Sequence, residues 1–448
     1  MTWIASAITD EDRTVALEGP LEEVSREGAP YRLRLVAHDP LAYDQHYNAV
    51  SNPTLWFIQH GLWDLAAEPE LGADFFAAWH EGYAMVNAAF ATAVLDELER
   101  QPDAAVFFHD YHLYLAPRLV RERAPDALLM HFVHIPWPQS DLWRVLPQDL
   151  RAAVHDGLLA NDVVGFHTTR WQRSFLRSCA DVLSADCDLD EGLVAHDGRS
   201  ARIVAQPISV DPAEFDALAG SEPVRAAAER LFVDRPEQLI LRVDRTDPSK
   251  NVVRGFHAFG LLLEQHPELR GRVGMLALLD PSRQDIPQYA AYRTAIEAAA
   301  REVNERFAQD GRDPLVVRVE DDFAGSIAAY REFDVLLVNA IVDGLNLVSK
   351  EAPLVNVRDG VLVLSENAGA HEELGEWAVT INPFDVQGQA DALHEALTMA
   401  APERRRRIEA IRAQVRRHDL ADWLAAQLAE LDAATAARRE RLARPGLR

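Results

Sequence analysis

Two cations carry the first readable chemistry. Arg245 and Lys250 lie in Val243-Asp244-Arg245-Thr246-Asp247-Pro248-Ser249-Lys250-Asn251, directly after the mainly apolar run Leu239-Ile240-Leu241-Arg242-Val243. The spacing of Val253, Phe256, Phe259, Leu262 and Leu263 then predicts an amphipathic helix. Both cations therefore fall on a strand-to-helix loop at a strand's carboxyl end, where α/β sheets bind ligands. Arginine offers a planar fork for phosphate oxygens and lysine a mobile point charge, so the pair can neutralise a diphosphate. Read locally, solvated loop charges are the competing reading.

A second segment has the same setting. Asp343-Gly344-Leu345-Asn346-Leu347-Val348-Ser349-Lys350-Glu351 follows the buried run 335–338. Gly344 lets backbone approach a ligand closely. A helix beginning near Leu347 would aim free N–H groups at an anion, each favourable contact contributing roughly 0.3–1 kcal/mol. Asp343 and Glu351 are acceptors suited to sugar or ribose hydroxyls, although an ordinary capped helix start would use the same residues.

The third is Phe108-His109-Asp110-Tyr111-His112-Leu113 with Val133-His134-Ile135-Pro136-Trp137-Pro138, each at the end of a predicted strand. His109 and His112 lack a third ligand at a metal-binding spacing. Asp188-Leu189-Asp190 matches a short acidic metal–diphosphate motif, but it lies in the polar stretch 184–198, read as a surface loop. No metal is assigned, and with Arg245 and Lys250 available for the diphosphate none is required.

These loops need a scaffold. Short β-branched runs at 105–108, 129–133 and 163–166 alternate with helical patterns, such as 77–98, where Trp79, Tyr83, Val86, Phe90, Val94 and Leu98 recur at helical spacing. The second half repeats the plan with runs at 239–243, 273–279, 315–319, 335–338 and 361–364. Alternation of this kind predicts α/β architecture with two Rossmann-like parallel sheets facing each other across a cleft. The expected domains are 1–215 for the acceptor, 216–400 for the nucleotide sugar, and terminal helices over 401–448 crossing back to the first domain. The weakly patterned stretch 206–236 is read as the crossing.

Bulk composition narrows the function. The chain has 448 residues, 48% hydrophobic and 26% charged, which is ordinary for a folded two-domain protein. A net charge of −26 disfavours nucleic acid and anionic membranes as partners, so an anionic ligand needs a local basic pocket. Two cysteines fit a reducing compartment, and no apolar run spans a bilayer or heads a secretory signal. A cytoplasmic protein binding small molecules is expected, with self-association into a homo-oligomer left open.

The motifs HYNAVSNPTLW (46–56), HDYHL (109–113), HIPWP (134–138), DRTDPSK (244–250), DPSR (280–283), DGLNLVSKE (343–351) and VLVLSENAGA (361–370) resemble, in that order, the trehalose-6-phosphate synthase family of retaining glycosyltransferases. The resemblance runs from about Trp3 to about Met399. It implies a GT-B fold and transfer of glucose from a nucleoside-diphosphate glucose to glucose 6-phosphate, with the nucleotide sugar as co-substrate and no cofactor. By the same resemblance, Arg245 and Lys250 stabilise the departing diphosphate. Asp343 bonds donor-sugar hydroxyls, the backbone of Gly344, Leu345, Asn346, Leu347 and Val348 surrounds sugar and phosphate, and Glu351 accepts from the ribose. His134 lies beside the reacting centre and Asp110 holds the acceptor. Tyr47 and Trp56 line the acceptor pocket, and Arg283 meets the acceptor's phosphate.

Some features resemble a divergent branch that includes validoxylamine 7′-phosphate synthase, a pseudo-glycosyltransferase joining an unsaturated cyclitol to an aminocyclitol phosphate. These are Asp244-Arg245-Thr246-Asp247-Pro248, Trp137, and Glu351-Ala352-Pro353-Leu354-Val355-Asn356; Lys350 and the Leu347-Val348-Ser349 before it resemble the glucosyltransferases. Family members also carry a strand, an Arg and a Gly-Gly loop ahead of the equivalent of Trp3. That segment is expected either upstream of Met1 or not at all. Other acceptors, such as glycerol 3-phosphate or an aminocyclitol phosphate, and a non-catalytic sugar-phosphate-binding regulator are the alternatives.

Overall fold

The computed structural model describes residues 1–25 and 28–443. The chain divides into two units, one comprising residues 1–205 together with the chain from Gln427, the other residues 206–426. Each is an α/β assembly.

In the second unit, alternating side chains explain the layering. Leu239, Leu241, Val243, Leu336 and Val338 enter one core, while Ile240, Val335 and Leu337 enter the other. A strand buried on both faces must be apolar throughout, which is why these segments read as continuous runs. The six strands are all parallel, in the spatial order Leu315–Val319, Val273–Asp280, Gln238–Arg245, Val335–Val338, Val361–Ser365, Val379–Ile381. The chain enters at Gln238–Arg245, builds outward on one side and returns at Val335–Val338. The crevice between those two strands is the topological switch point, and the segments after them carry Arg245 and Asp343.

The first unit holds a six-stranded sheet ordered Ala105–His109, Leu128–Val133, Val163–Phe166, Arg199–Ala205, Leu193–His196, Asp186–Asp188. Its first four strands are parallel and the last two antiparallel. A separate three-stranded sheet combines Thr2–Ser6, Pro30–Val36 and Leu21–Val24.

Several expectations change in detail. The boundary falls at 205/206 rather than 215/216. Helix Pro212–Ala219 puts Phe215 into the core of the second unit, where Val210 also packs. The stretch 206–236, read as the crossing from its weak pattern, contains two helices, Pro212–Ala219 and Glu222–Leu231. The terminal segment also divides: Ala401–Arg417 buries Ile408, Ile411 and Val415 in the second unit, whereas the later part of Leu420–Ala443 groups with the first. Residues 184–198 contain the hairpin Asp186–Asp188 and Leu193–His196, with the Asp188 carboxylate accepting the N–H groups of Asp190 and Glu191. Asp188 therefore caps a turn. The helix over 77–98 extends over Ala73–Ala77, Ala78–Tyr83 and Ala84–Arg100, with a π-helical middle, and all six of its apolar markers are buried.

Candidate functional site

At the end of Gln238–Arg245, buried ionic chemistry shapes the loop. Arg242 has no exposed side-chain surface. Its guanidinium donates to Asp244 Oδ2 at 2.7 Å, to the Lys250 carbonyl at 3.0 Å and to the Val252 carbonyl at 3.3 Å. A Cβ on Gly255 would lie 2.4 Å from that guanidinium, so glycine is needed for the helix to pass. Burial raises the Asp244 carboxyl, against the pull of Arg242 and then Lys250. Sequence reading missed this pair; an arginine inside an apolar strand was the available signal.

Asp247 is fully buried and organises the next layer. Its Oδ1 accepts from Ser249 N at 2.9 Å and Ser249 Oγ at 2.7 Å, fixing the turn Pro248–Lys250. Its Oδ2 stands 3.5 Å from Arg283 Nη1 and 3.9 Å from Arg245 Nη2. Arg283, expected with the acceptor residues, therefore stands beside Arg245 in the second unit. Two bonds hold its loop there: Thr246 N donates to Asp280 O at 2.9 Å, and Ser282 N to Thr246 Oγ1 at 3.0 Å. Arg283 also donates to Tyr289 Oη at 2.6 Å.

The 343–351 segment meets this loop directly. Lys250 Nζ donates to Asp343 Oδ2, and Asn346 Nδ2 donates to the same oxygen at 3.3 Å. The left-handed backbone falls on Asn346, at φ 91°, rather than on Gly344. Asn346 compensates through its side chain, whose Oδ1 accepts from Ser349 N at 3.1 Å at the start of helix Val348–Val355. Leu345 is a core residue whose carbonyl accepts from Ala370 N at 2.8 Å. Glu351, in the helix's first turn, accepts from Tyr330 Oη at 3.1 Å; burial raises its carboxyl and that hydrogen bond opposes the rise. Lys350 turns away, bonded to Glu373 at 2.6 Å and to the Ile208 carbonyl at 2.8 Å. Arg245, Lys250, Asn346, Leu347, Val348 and Glu351 line one open pocket of about 250 Å³. It presents two cations, a helix start and the Glu351 carboxylate, with Asp244, Asp280 and Asp321 also on its wall. The cations and helix start suit a diphosphate, and the carboxylates suit sugar and ribose hydroxyls.

The first unit carries a different chemistry. Asp110 ends Ala105–His109 at φ 63° and ψ −179°, a region almost reserved for glycine and costing of order 1–3 kcal/mol. Hydrogen bonds hold it: its N–H donates to Phe132 O at 2.8 Å, its carbonyl pairs with His131 Nε2 at 3.0 Å and accepts from Leu113 N at 3.4 Å, and its carboxylate accepts from His134 N at 3.3 Å. His134 Nε2 lies 3.1 Å from His109 Nδ1. Burial first, and the neighbouring His109 second, hold the His134 imidazole down at about 3, so it is neutral near pH 7. Tyr111 and His112 form a turn clamped by Tyr83 Oη donating to Tyr111 O at 2.6 Å and Asn87 Nδ2 donating to His112 O at 3.0 Å.

Tyr47 and Trp56 sit on and just after a π-helical segment, Gln45–Leu55, which contains Pro53. It approaches closely because Gly82 has no side chain; a Cβ there would meet Gln45 Cβ at 2.5 Å. Tyr47 stacks on His112 at 5.8 Å, and buried Trp56 stacks on His60 at 3.9 Å and tilts against Tyr111 at 5.6 Å. The geometry thus gathers Tyr47, Trp56, Asp110 and His134 in one unit, and Arg245, Lys250, Arg283, Asp343 and Glu351 in the other.

Comparison with known proteins places these motifs. The family model "Glycosyltransferase family 20" matches residues 1–433. A validamine 7-phosphate valienyltransferase of Streptomyces hygroscopicus is 35% identical over 98% of this chain and 87% of its own length. A UDP-forming alpha,alpha-trehalose-phosphate synthase of Schizosaccharomyces pombe is 33% identical over 90% of this chain and 76% of its own. Among solved structures, the UDP-forming synthase of Burkholderia xenovorans in complex with glucose-6-phosphate superposes with a TM-score of 0.83 at 29% identity, covering 96% of this chain and 100% of that one.

Proposed function

The chain belongs to glycosyltransferase family 20, and on that premise we propose that it moves glucose, with retention, from a nucleoside-diphosphate glucose to glucose 6-phosphate, giving trehalose 6-phosphate. One observation carries the donor half: Arg245, Lys250, the start of helix Val348–Val355 and Glu351 share a single pocket at the switch point of a parallel sheet.

The chemistry follows from charge. Breaking the anomeric C–O bond leaves positive charge on the sugar ring and negative charge on the departing phosphate. Arg245 and Lys250 interact more strongly with that developing anion than with the intact donor, which lowers the barrier. Lys250 starts from its pairing with Asp343, so the group that neutralises the phosphate is tethered to the one that binds sugar hydroxyls. The acceptor hydroxyl attacks from the face the phosphate leaves, and a phosphate oxygen takes its proton. The products are the glycoside and the free nucleoside diphosphate. Neutral His134, whose N–H is bonded to Asp110, serves as a hydrogen-bonding wall rather than an ionised base. No metal enters this scheme, so activity should survive a chelator.

The acidic chain and two free cysteines support a cytoplasmic setting. Among the described residues, no helix is long and apolar enough to cross a membrane.

A second reading rests on the similarity to the valienyltransferase, whose name gives validamine 7-phosphate as the acceptor. Release of nucleoside diphosphate from UDP-, GDP- and ADP-glucose and from the corresponding nucleoside-diphosphate unsaturated cyclitols, measured with glucose 6-phosphate, glycerol 3-phosphate and an aminocyclitol phosphate, separates the readings. Preferential turnover with glucose 6-phosphate supports the first and with the aminocyclitol phosphate the second. Silence with every pair contradicts both.

A further inference from the structure

His266, Glu268 and His394 bring three metal-ligand side chains together away from the pocket, with one donor atom of each within 4.8 Å of the others. His266 caps the C-terminal end of helix Val252–Gln265, Glu268 lies in the turn Pro267–Leu269, and His394 projects from helix Val386–Thr398. The two imidazoles stack with centroids 3.7 Å apart and planes 8° from parallel. Glu268 Oε1 is 3.3 Å from His266 Nδ1. Local bonds fix the frame: His266 N donates to Leu262 O at 2.9 Å and Leu269 N to His266 O at 3.0 Å. Gln265 and Gln387 tie the same two helices through reciprocal amide hydrogen bonds of 2.7 and 3.1 Å.

We propose that His266, Glu268 and His394 bind one divalent transition-metal ion, zinc first among them, with water completing the shell. Two imidazoles and one carboxylate form a borderline-soft donor set, which favours zinc over the magnesium or calcium that prefer oxygen ligands. A tetrahedral zinc shell holds its donors about 3.4 Å apart, so one imidazole would have to rotate out of the parallel stack to aim its in-plane nitrogen at the ion, with the donors closing from within 4.8 Å. Glu268 is exposed and both histidines are half-buried, leaving an entry path. The ion would pin helix Val252–Gln265 to helix Val386–Thr398. The opposite end of the first helix begins after Asn251, whose amide bonds Asn339 O at 2.9 Å and Pro383 O at 2.7 Å beside Lys250. The site would therefore brace the helix that follows the Lys250 turn without touching the donor.

The test is titration of the metal-free, full-length protein with Co²⁺, followed by Zn²⁺ competition. One equivalent of Co²⁺ should give visible ligand-field bands that Zn²⁺ removes, and Zn²⁺ should raise the Tm. His394→Ala should abolish the bands and the Tm rise, and Glu268→Gln, at an exposed position, should weaken binding at least tenfold with the metal-free Tm unchanged. Lack of stoichiometric binding by the wild type, or undiminished affinity in Glu268→Gln, would overturn the proposal and leave a stacked imidazole contact between two helices.

Discussion

The two units carry their candidate chemistry in opposite ways. In the second, charge dominates: Arg245, Arg283 and Lys250 are held by Asp247 and Asp343 at the end of a parallel strand. In the first, Tyr47, Trp56 and the histidines around Asp110 form a wall of stacked rings, and burial holds His46, His131 and His134 near 3. A leaving diphosphate needs preorganised cations, whereas the acceptor's attacking hydroxyl needs shape and hydrogen bonds, its phosphate being left to a cation such as Arg283. The partition suggests that changes in the second unit act mainly on the rate, while those in the first act on acceptor affinity and acid stability.

The largest expected effect comes from Lys250→Met, which removes a cation and leaves the half-buried Asp343 without it. A loss of about 10²–10³ in kcat is expected from steady-state release of nucleoside diphosphate. A loss under fivefold would remove Lys250 from the developing charge.

Acid should separate the units next. The imidazoles of His46, His131 and His155 sit at about 3, 3 and 4 because burial penalises the cation. A depressed histidine contributes stability that is complete above its unfolded value of about 6.5 and is lost as pH falls towards the folded value. From pH 8 to pH 5 each should cost the first unit about 2 kcal/mol. The raised carboxyls of Asp244 and Glu351 act in the opposite sense, stabilising the second unit below the unfolded carboxylate range and losing that contribution as pH rises through their folded values. Hydrogen exchange at pH 8 and pH 5 should show protection falling first in residues 105–166; simultaneous loss in both units would break the contrast.

Smaller effects sharpen it. Tyr330→Phe removes the hydrogen bond to Glu351, a change of about 1 kcal/mol, so the donor KM should rise about fivefold with the acceptor KM unmoved. Tyr47→Phe keeps the ring on His112 and should raise only the acceptor KM, by roughly two- to fivefold. The reverse pattern in either variant would exchange the roles assigned to the units.

Legibility in the sequence follows the same division. The strands ending at Arg245 and Val338 were readable because burial on both faces makes them mainly apolar runs, and the polar segments that follow them are conspicuous. Leu21–Val24 was not, since LEEV is half exposed and pairs only at a sheet edge. Nor was the π-helical segment Gln45–Leu55: Pro53 reads as a helix breaker, and the wider helix depends on Gly82 from another element. Asp110 was identified from its motif, but its near-forbidden backbone could not be, because that conformation is imposed by bonds to Phe132, His131 and His134. The Arg242–Asp244 pair lies within one strand, signalled by an arginine in an apolar run, whereas the Asp247 anchor under Arg245 and Arg283 exists only once a strand end and a second loop are brought together. Arg283 shows the same limit, since Asp247 and Tyr289 reach it from two other segments.

The most direct test of charge stabilisation by the second unit is nucleoside-diphosphate release with glucose 6-phosphate as acceptor, compared between the wild type and Arg245→Ala at matched Tm. A kcat lower by about 10²–10³, with the acceptor KM within twofold of the wild type, is expected. A near-normal kcat in a folded Arg245→Ala protein would contradict it.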